Sequence, residues 1–132
     1  MKIIVVHDDN NIRRAIREAL SIFDENDVLG CLNQGKSVLE MIQREQPNLV
    51  FLEIKSGEDH DWETFRQIRQ SRQLRATAVV VVTPASSNVK TTMQAIWHLS
   101  AFDFVTTPCQ KDSLREEINR ILEKIRIFLP NV

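Results

Sequence analysis

The chain alternates short apolar runs with amphipathic helical patterns, and this alternation restricts it to a small group of folds. Four runs of strand length end abruptly at polar residues: Ile3–Val6, Asn48–Leu52, Ala78–Val82 and Phe102–Val105. The run Ala78–Val82 contains no polar alternation, as expected for a strand that helices cover on both faces. With a further strand around Val28–Leu32, the order of elements predicts five βα units and a parallel sheet.

Five helical segments fill the intervals between and after these runs, the fourth from about Asn88 to Leu99. Asn10 or Asn11 is expected to cap the first helix, and Ser113 with Glu116 has capping-box spacing at the start of the last. The second is expected to stop before Pro47 and the third to follow a polar loop over 55–61. Inward positions at helical spacing are Ile12, Ile16, Ala19, Leu20, Phe23, Val38, Leu39, Ile42, Trp62, Phe65, Ile68, Val89, Met93, Ile96, Trp97, Leu114, Ile118, Ile121, Leu122 and Ile125.

The length of 132 residues predicts one domain covering 1–132, and the short tail after the last helix suggests a complete single-domain product. A net charge of -1 gives no electrostatic reason to expect nucleic acid or a membrane surface as a partner. The longest apolar stretch is far shorter than the roughly 20 residues of a membrane span, so a cytoplasmic location is expected. Cys31 and Cys109 form no metal-ligand or redox spacing.

Polar residues follow each of the predicted central strands. His7 and Asp8 follow the first strand, Glu53 the third, Thr83 the fourth, and Thr107 lies at the end of the fifth. In open α/β sheets, ligands bind beyond the carboxyl ends of the strands. If the strands are parallel neighbours, these five side chains converge on one small polar pocket.

Taken in order, the segments Lys2–Asp9, Pro47–Ile54, Val82–Thr83 and Phe104–Pro108 make the whole chain resemble a receiver domain of the two-component response regulator family. The resemblance implies a three-layer α/β/α sandwich of the flavodoxin-like (βα)5 type, with strand order 2-1-3-4-5. It also implies a magnesium-dependent phosphoryl transfer from a histidine kinase to an aspartate at the end of the third strand.

The sequence departs from the family pattern at three of its five main pocket positions. His7 stands where the family has its first metal-binding acid, Glu53 where it has the phosphoacceptor aspartate, and Thr107 where it has a lysine. Asp8 and Thr83 match the pattern. The pocket implied by the resemblance comprises His7, Asp8, Glu53, Lys55, Thr83, Thr107 and Pro108.

Each departure weakens the family reaction. The extra methylene of Glu53 displaces its carboxylate by about 1 Å, and a misplacement of that order can cost about 10²-fold in rate. His7 replaces an oxygen ligand that magnesium prefers, which leaves Asp8 and Glu53 as a weak or absent Mg²⁺ site. Thr107 supplies no positive charge to a transferred phosphoryl group. No cofactor is therefore expected to be required, and no enzymatic activity is expected.

The resulting prediction is a pseudo-receiver, a phosphorylation-independent protein-interaction module of phosphorelay signalling. One alternative is a functional receiver that a histidine kinase phosphorylates at Glu53 or at a neighbouring acid, Asp8 or Asp9. Another is a small-ligand or transition-metal sensor at His7, Asp8 and Glu53. For His7 itself, a neutral, hydrogen-bonded histidine is preferred to a metal ligand. Two further hypotheses concern Glu53. It is either a solvated acid at the strand end or a mimic of phosphoaspartate that reaches toward Thr83.

The resemblance also suggests how the chain meets its partner, a histidine kinase or a downstream signalling protein. The expected surface comprises the fourth predicted helix, the fifth strand and the fifth, last helix, and a homodimer through the same face is an alternative. Phe104 aligns with the family's switch aromatic residue and is expected to stay inward. Two arginine clusters are expected to be solvated: Arg13, Arg14, Arg17, Arg66, Arg69, Arg72 and Arg75.

Overall fold

A five-stranded parallel sheet with strand order β2-β1-β3-β4-β5 carries the fold, which confirms the predicted flavodoxin-like topology. The computed structural model describes residues 1–21, 27–55, 59–84, 99–107 and 111–128. In chain order the elements are β1 (Lys2–Val6), α1 (Asn10–Leu20), β2 (Asp27–Cys31), α2 (Lys36–Glu45), β3 (Leu49–Glu53), α3 (Asp59–Gln70), a 3₁₀ turn (Arg72–Leu74), β4 (Ala78–Pro84), β5 (Asp103–Thr107) and α4 (Lys111–Phe128). None of the helices in these ranges is long and apolar enough to cross a bilayer.

The strand register brings the carboxyl ends of the central strands to one edge of the sheet. Val6 of β1 lies beside Leu52 of β3, and Glu53 lies beside Val82 of β4. The pairing continues just past the strands, because the Ile54 N–H donates to the Val82 carbonyl at 2.9 Å. The segments that follow β1 and β3 are therefore held close together where a site would form.

The period-two alternation of the strands divides the core into two layers. One apolar cluster joins the sheet to α1 and α4, and the other joins it to α2 and α3. Val80 and Val82 belong to the first cluster, whereas Val79 and Val81 belong to the second. Burying a side chain of this kind contributes about 1.5–3 kcal/mol. Among the described positions predicted to face inward, Ile12 and Leu39 are partly buried and the rest are buried.

The predictions for the two helix caps are wrong. Asp9, rather than Asn10 or Asn11, caps α1: its Oδ1 accepts from the N–H groups of Asn11 at 2.8 Å and Ile12 at 3.4 Å. The helix begins one residue earlier than the apolar pattern suggests, so the acid that precedes it takes the cap position. In the last helix Ser113 lies inside the first turn, because α4 already begins at Lys111.

Several element boundaries differ by a few residues from those predicted. The second strand starts and ends one residue earlier, at Asp27 and Cys31, and β4 continues to Pro84. The third helix begins at Asp59, inside the stretch predicted as a loop. Predictions for Phe23, the loop residues 56–58, most of the helix over 88–99, Pro108, Cys109 and the tail over 129–132 lie outside the described residues.

Candidate functional site

The candidate site lies at the carboxyl edge of the sheet, around the buried carboxylate of Glu53. The Glu53 residue is 4% exposed. Its Oε1 accepts from the Asp8 backbone N–H at 3.1 Å and from the Asn33 side-chain amide at 3.3 Å, while its Oε2 lies 3.4 Å from His7 Nε2. A buried carboxylate needs donors of this kind to offset the water it has lost. The structure thus brings His7, Asp8 and Glu53 together and directs Glu53 into the fold, which contradicts the solvated interpretation.

His7 is a buried imidazole whose two nitrogens both have partners. Its Nδ1 accepts from the Asp9 backbone N–H at 3.0 Å, so the ring proton of the neutral form sits on Nε2 and faces Glu53. Burial lowers the pKa of His7 more than the nearby carboxylates of Glu53, Asp9 and Asp8 raise it. The geometry therefore favours a neutral, hydrogen-bonded histidine over a metal ligand.

Asp8 carries the second carboxylate of the site, and a lysine neutralises it. Its Oδ1 accepts from the Asn33 backbone N–H at 2.8 Å, and its Oδ2 accepts from Lys55 Nζ at 2.9 Å. Desolvation opposes the ionisation of Asp8, but the hydrogen bonds from Lys55 and Asn33 outweigh it, so the pKa of Asp8 lies below its usual value. Both oxygens of this acid are engaged by groups of the chain itself.

Two residues of the site were not assigned to it from the sequence. The Asn33 side-chain amide donates to Glu53 Oε1 at 3.3 Å and to the Glu53 carbonyl at 3.4 Å, and the Asn33 backbone N–H donates to Asp8 Oδ1. The available signal was its place two residues after β2, at the same sheet edge. Arg13 was predicted to be solvated, but its guanidinium donates to the His7 carbonyl at 2.6 Å and to Asn10 Oδ1 at 2.9 Å. That prediction is wrong for Arg13, which holds the loop after β1.

The two predicted threonines lie at the same edge, on the other side of Glu53. Thr83 is fully buried and pairs with Thr106 of β5, while Thr107 is buried and lies opposite Pro84. The contacts of the Glu53 carboxylate run to His7 and Asp8 in the segment after β1 and to Asn33 in the segment after β2, away from β4. The geometry therefore gives no support to a Glu53 that reaches toward Thr83 as a phosphoaspartate mimic.

Phe104 is 37% exposed, so the expectation that it stays inward is wrong. The β5 strand pairs only with β4 within the described sheet, and it alternates between two faces. Asp103, Val105 and Thr107 are buried, whereas Phe104 and Thr106 point to the opposite, more open side. On this edge strand, the alternation of side chains between the two faces thus places the Phe104 ring on the exposed side, although the ring is apolar.

The residues present do not fit the magnesium ion that the family resemblance implies. Mg²⁺ requires near-octahedral oxygen ligands, whereas His7 offers a ring whose nitrogens are both engaged. The Asp8 oxygens are taken by Asn33 and Lys55, and the Glu53 oxygens by His7, the Asp8 backbone N–H and Asn33. Among the residues that the structure describes, no group of three His, Cys, Asp or Glu side chains is arranged to hold a metal ion.

The fold is that of a receiver domain, and comparison with known sequences agrees. The sequence profile of the response regulator receiver domain matches residues 3–119. The chain therefore belongs to the response regulator receiver domain family of two-component signalling. The receiver fold is typical of a non-enzymatic signalling module.

Individual relatives carry the matching segment within longer proteins. The chain is 31% identical over 123 residues to an alginate biosynthesis transcriptional regulatory protein, AlgB, of Pseudomonas putida, matching 92% of this chain and 26% of the relative. It is 29% identical over 132 residues to a protein-glutamate methylesterase/protein-glutamine glutaminase of Trichodesmium erythraeum, matching 96% and 37%. The receiver domain of AraT from Geobacillus stearothermophilus shares the fold at a TM-score of 0.76 and 22% identity, with 95% of each chain covered. The chain thus spans about a quarter to just over a third of these two curated relatives.

Proposed function

We propose that this receiver acts as a protein-interaction module of two-component signalling that does not depend on phosphorylation. The observation that carries the proposal is the state of Glu53, at the position where the family resemblance places the phosphoacceptor. Its carboxylate is buried and has partners on both oxygens. The acid is thus part of the packing of the site and is not presented to a phosphoryl donor.

Phosphorylation of Glu53 would require one carboxylate oxygen to leave its partners and attack phosphorus in line. Each hydrogen bond given up costs about 0.5–1.5 kcal/mol, and more where a buried donor is left unpaired. Phosphoryl transfer also depends on positive charge that stabilises the transition state. At the position of the family lysine this chain has Thr107, which is buried and uncharged. These effects act in the same direction and oppose the reaction.

Partner binding is proposed for the face made by β5 and α4. Phe104 is partly exposed on β5, and Ile127 and Phe128 are 68% and 65% exposed near the end of α4. Exposed apolar side chains are a common feature of protein-protein interfaces. The partner would be another signalling protein of the two-component class, a histidine kinase or a downstream target.

Incubation with acetyl phosphate and Mg²⁺, followed by intact mass measurement, tests the proposal. We expect the unmodified protein to gain no phosphoryl group under conditions that phosphorylate an active receiver run in parallel. The matched control is Glu53→Gln, which removes the carboxylate at almost constant size. A stoichiometric adduct on the unmodified protein would overturn the proposal, and its loss in Glu53→Gln would assign it to Glu53 rather than to Asp8 or Asp9.

The proposed face is tested separately, by two-hybrid pairing with the histidine kinases and response regulators of the source organism. Phe104→Ala should weaken an interaction that the unmodified protein makes. Leu32→Ala, an exposed leucine beyond the opposite edge strand β2, should leave that interaction unchanged. Equal binding by both variants would rule out the Phe104 surface.

A further inference from the structure

We propose that the Lys55 ammonium is a built-in cation of the acid pocket, which takes the place of a divalent metal ion and excludes it. The inference rests on the proposed function in one respect, since a pocket that needs no metal suits a module that performs no phosphoryl transfer. Its structural basis is nevertheless separate, because it concerns Lys55 and Asp8 rather than the reactivity of Glu53.

The first observation is the charge balance at Asp8. Lys55 Nζ lies 2.9 Å from Asp8 Oδ2, a distance typical of a strong charge-assisted hydrogen bond. The Asn33 backbone N–H occupies Oδ1 at 2.8 Å. A metal ion bound to Asp8 would have to displace the ammonium or approach within a few ångströms of it, and like charges at such distances repel strongly.

The second observation is that the chain carrying Lys55 is anchored on its amino-terminal side. Ile54 is fully buried in the cluster below α2 and α3, and its N–H bonds to the Val82 carbonyl at 2.9 Å. Lys55 therefore leaves the sheet from a defined point, two residues beyond Glu53. The Lys55–Asp8 pair lies at the surface, with side chains 42% and 41% exposed, and joins the segment after β1 to the segment after β3.

The third observation is that Asp8 contacts both Lys55 and Glu53, the other acid of the pocket. The Asp8 backbone N–H donates to Glu53 Oε1 at 3.1 Å, while the Asp8 carboxylate accepts from Lys55. Removal of the lysine charge therefore frees Asp8 Oδ2 and leaves a more negative cluster of carboxylates at the sheet edge. Such a cluster attracts a divalent, oxygen-preferring cation such as Mg²⁺ or Mn²⁺.

The test is a metal titration of Lys55→Met, which keeps most of the aliphatic stem and removes the charge. Calorimetry with Mg²⁺, and Mn²⁺ binding followed by electron paramagnetic resonance, should show an association constant at least about 10-fold above that of the unmodified protein. Lys36→Met, which removes an exposed charge at the start of α2, is the matched control and should behave like the unmodified protein. Adding Asp8→Asn to Lys55→Met should abolish the gain in metal affinity.

Equal metal affinity of Lys55→Met and the unmodified protein would overturn the inference. Circular dichroism is used to check that Lys55→Met folds. If it does not fold, Lys55→Gln, which keeps a polar end group, is the second variant. The outcome is independent of the acetyl phosphate experiment. A phosphoryl adduct on the unmodified protein, together with tighter metal binding by Lys55→Met, would refute the proposed function. The inference that Lys55 is the built-in cation would then still stand.

Discussion

At the scale of single residues, Arg69 shows how far a side chain's role depends on its surroundings. The sequence places it in a cluster predicted to be solvated, and Arg66, Arg72 and Arg75 of that cluster are indeed exposed. The Arg69 guanidinium instead donates to the carbonyls of Leu99 at 2.8 Å, Thr77 at 2.8 Å and Ser100 at 3.3 Å. It also lies 5.4 Å from the centre of the Phe65 ring. The solvated prediction is wrong for this residue, which ties α3 to the segments before β4 and β5.

We expect Arg69→Lys to lower the free energy of unfolding by about 1–3 kcal/mol, because an ammonium cannot reproduce the fork that reaches separate carbonyls. Urea denaturation measures the change. The control is Arg66→Lys at an exposed position of the same helix, which should change stability by less than about 0.5 kcal/mol. Equal stability of the two variants would show that the Arg69 contacts are not stabilising.

At the scale of elements, an ionic network joins β5 to α4. Asp103 of β5 is buried and accepts from Arg120 Nη1 at 2.7 Å and from Lys124 Nζ at 3.3 Å. The Lys124 ammonium also donates to the Phe102 carbonyl at 2.9 Å. Burial opposes the ionisation of Asp103, but the hydrogen bonds from Arg120 and from the Phe104 N–H outweigh it and keep its pKa below the usual range. The last helix is thus attached to the edge strand by charge as well as by its apolar stripe.

This network predicts a specific pH dependence of stability. A carboxyl whose pKa is lowered by folding stabilises the native state fully above its unfolded pKa of about 3.9, and loses that effect as the pH falls through the lower folded value. Asp103→Asn should therefore destabilise the protein by about 1–3 kcal/mol at neutral pH. The difference from the unmodified protein should shrink below about pH 4.

Urea titrations at a series of pH values provide the measurement. Glu117→Gln is the control, because Glu117 contacts the same arginine at 2.7 Å but from an exposed position. It should have a smaller effect at neutral pH. A stability difference for Asp103→Asn that does not vary with pH would contradict the predicted role of its charge.

At the scale of the whole molecule, the two apolar clusters share a single sheet. Ile118 of α4 is fully buried in one cluster and Ile68 of α3 in the other. Neighbouring residues of β4 belong to opposite clusters, so loss of packing on one side disturbs the strands that the other side requires. The two layers are therefore expected to unfold together.

Ile118→Val and Ile68→Val should each lower the free energy of unfolding by about 0.5–1.5 kcal/mol. Each should shift the same cooperative transition, measured by far-ultraviolet circular dichroism and by tryptophan fluorescence. Ile127→Val, at an exposed position of α4, should have almost no effect. Separate transitions by the two probes would show that the layers unfold independently.

Much of the architecture is accessible from local patterns at this scale. The apolar runs and helical stripes predict a parallel sheet of βα units and the inward positions, because burial on a strand follows period two and burial on a helix follows period 3.6. The strand order is what the resemblance to the receiver family implies. The same patterns bring His7, Asp8 and Glu53 to one sheet edge. They do not place helix starts accurately, as Asp9 and Ser113 show, because a cap depends on the local backbone conformation.

The sequence by itself thus determined the receiver fold, the edge at which the site lies and the unusual chemistry of its acids. Only the tertiary structure decided which groups satisfy those acids: Asn33 and Lys55 lie 25 and 47 positions from Asp8 along the chain. Periodicity reports which face a residue occupies, but a hydrogen bond depends on distances of about 3 Å between side chains with several rotatable bonds. Those distances exist only once the strands are paired and the loops between them are held in place.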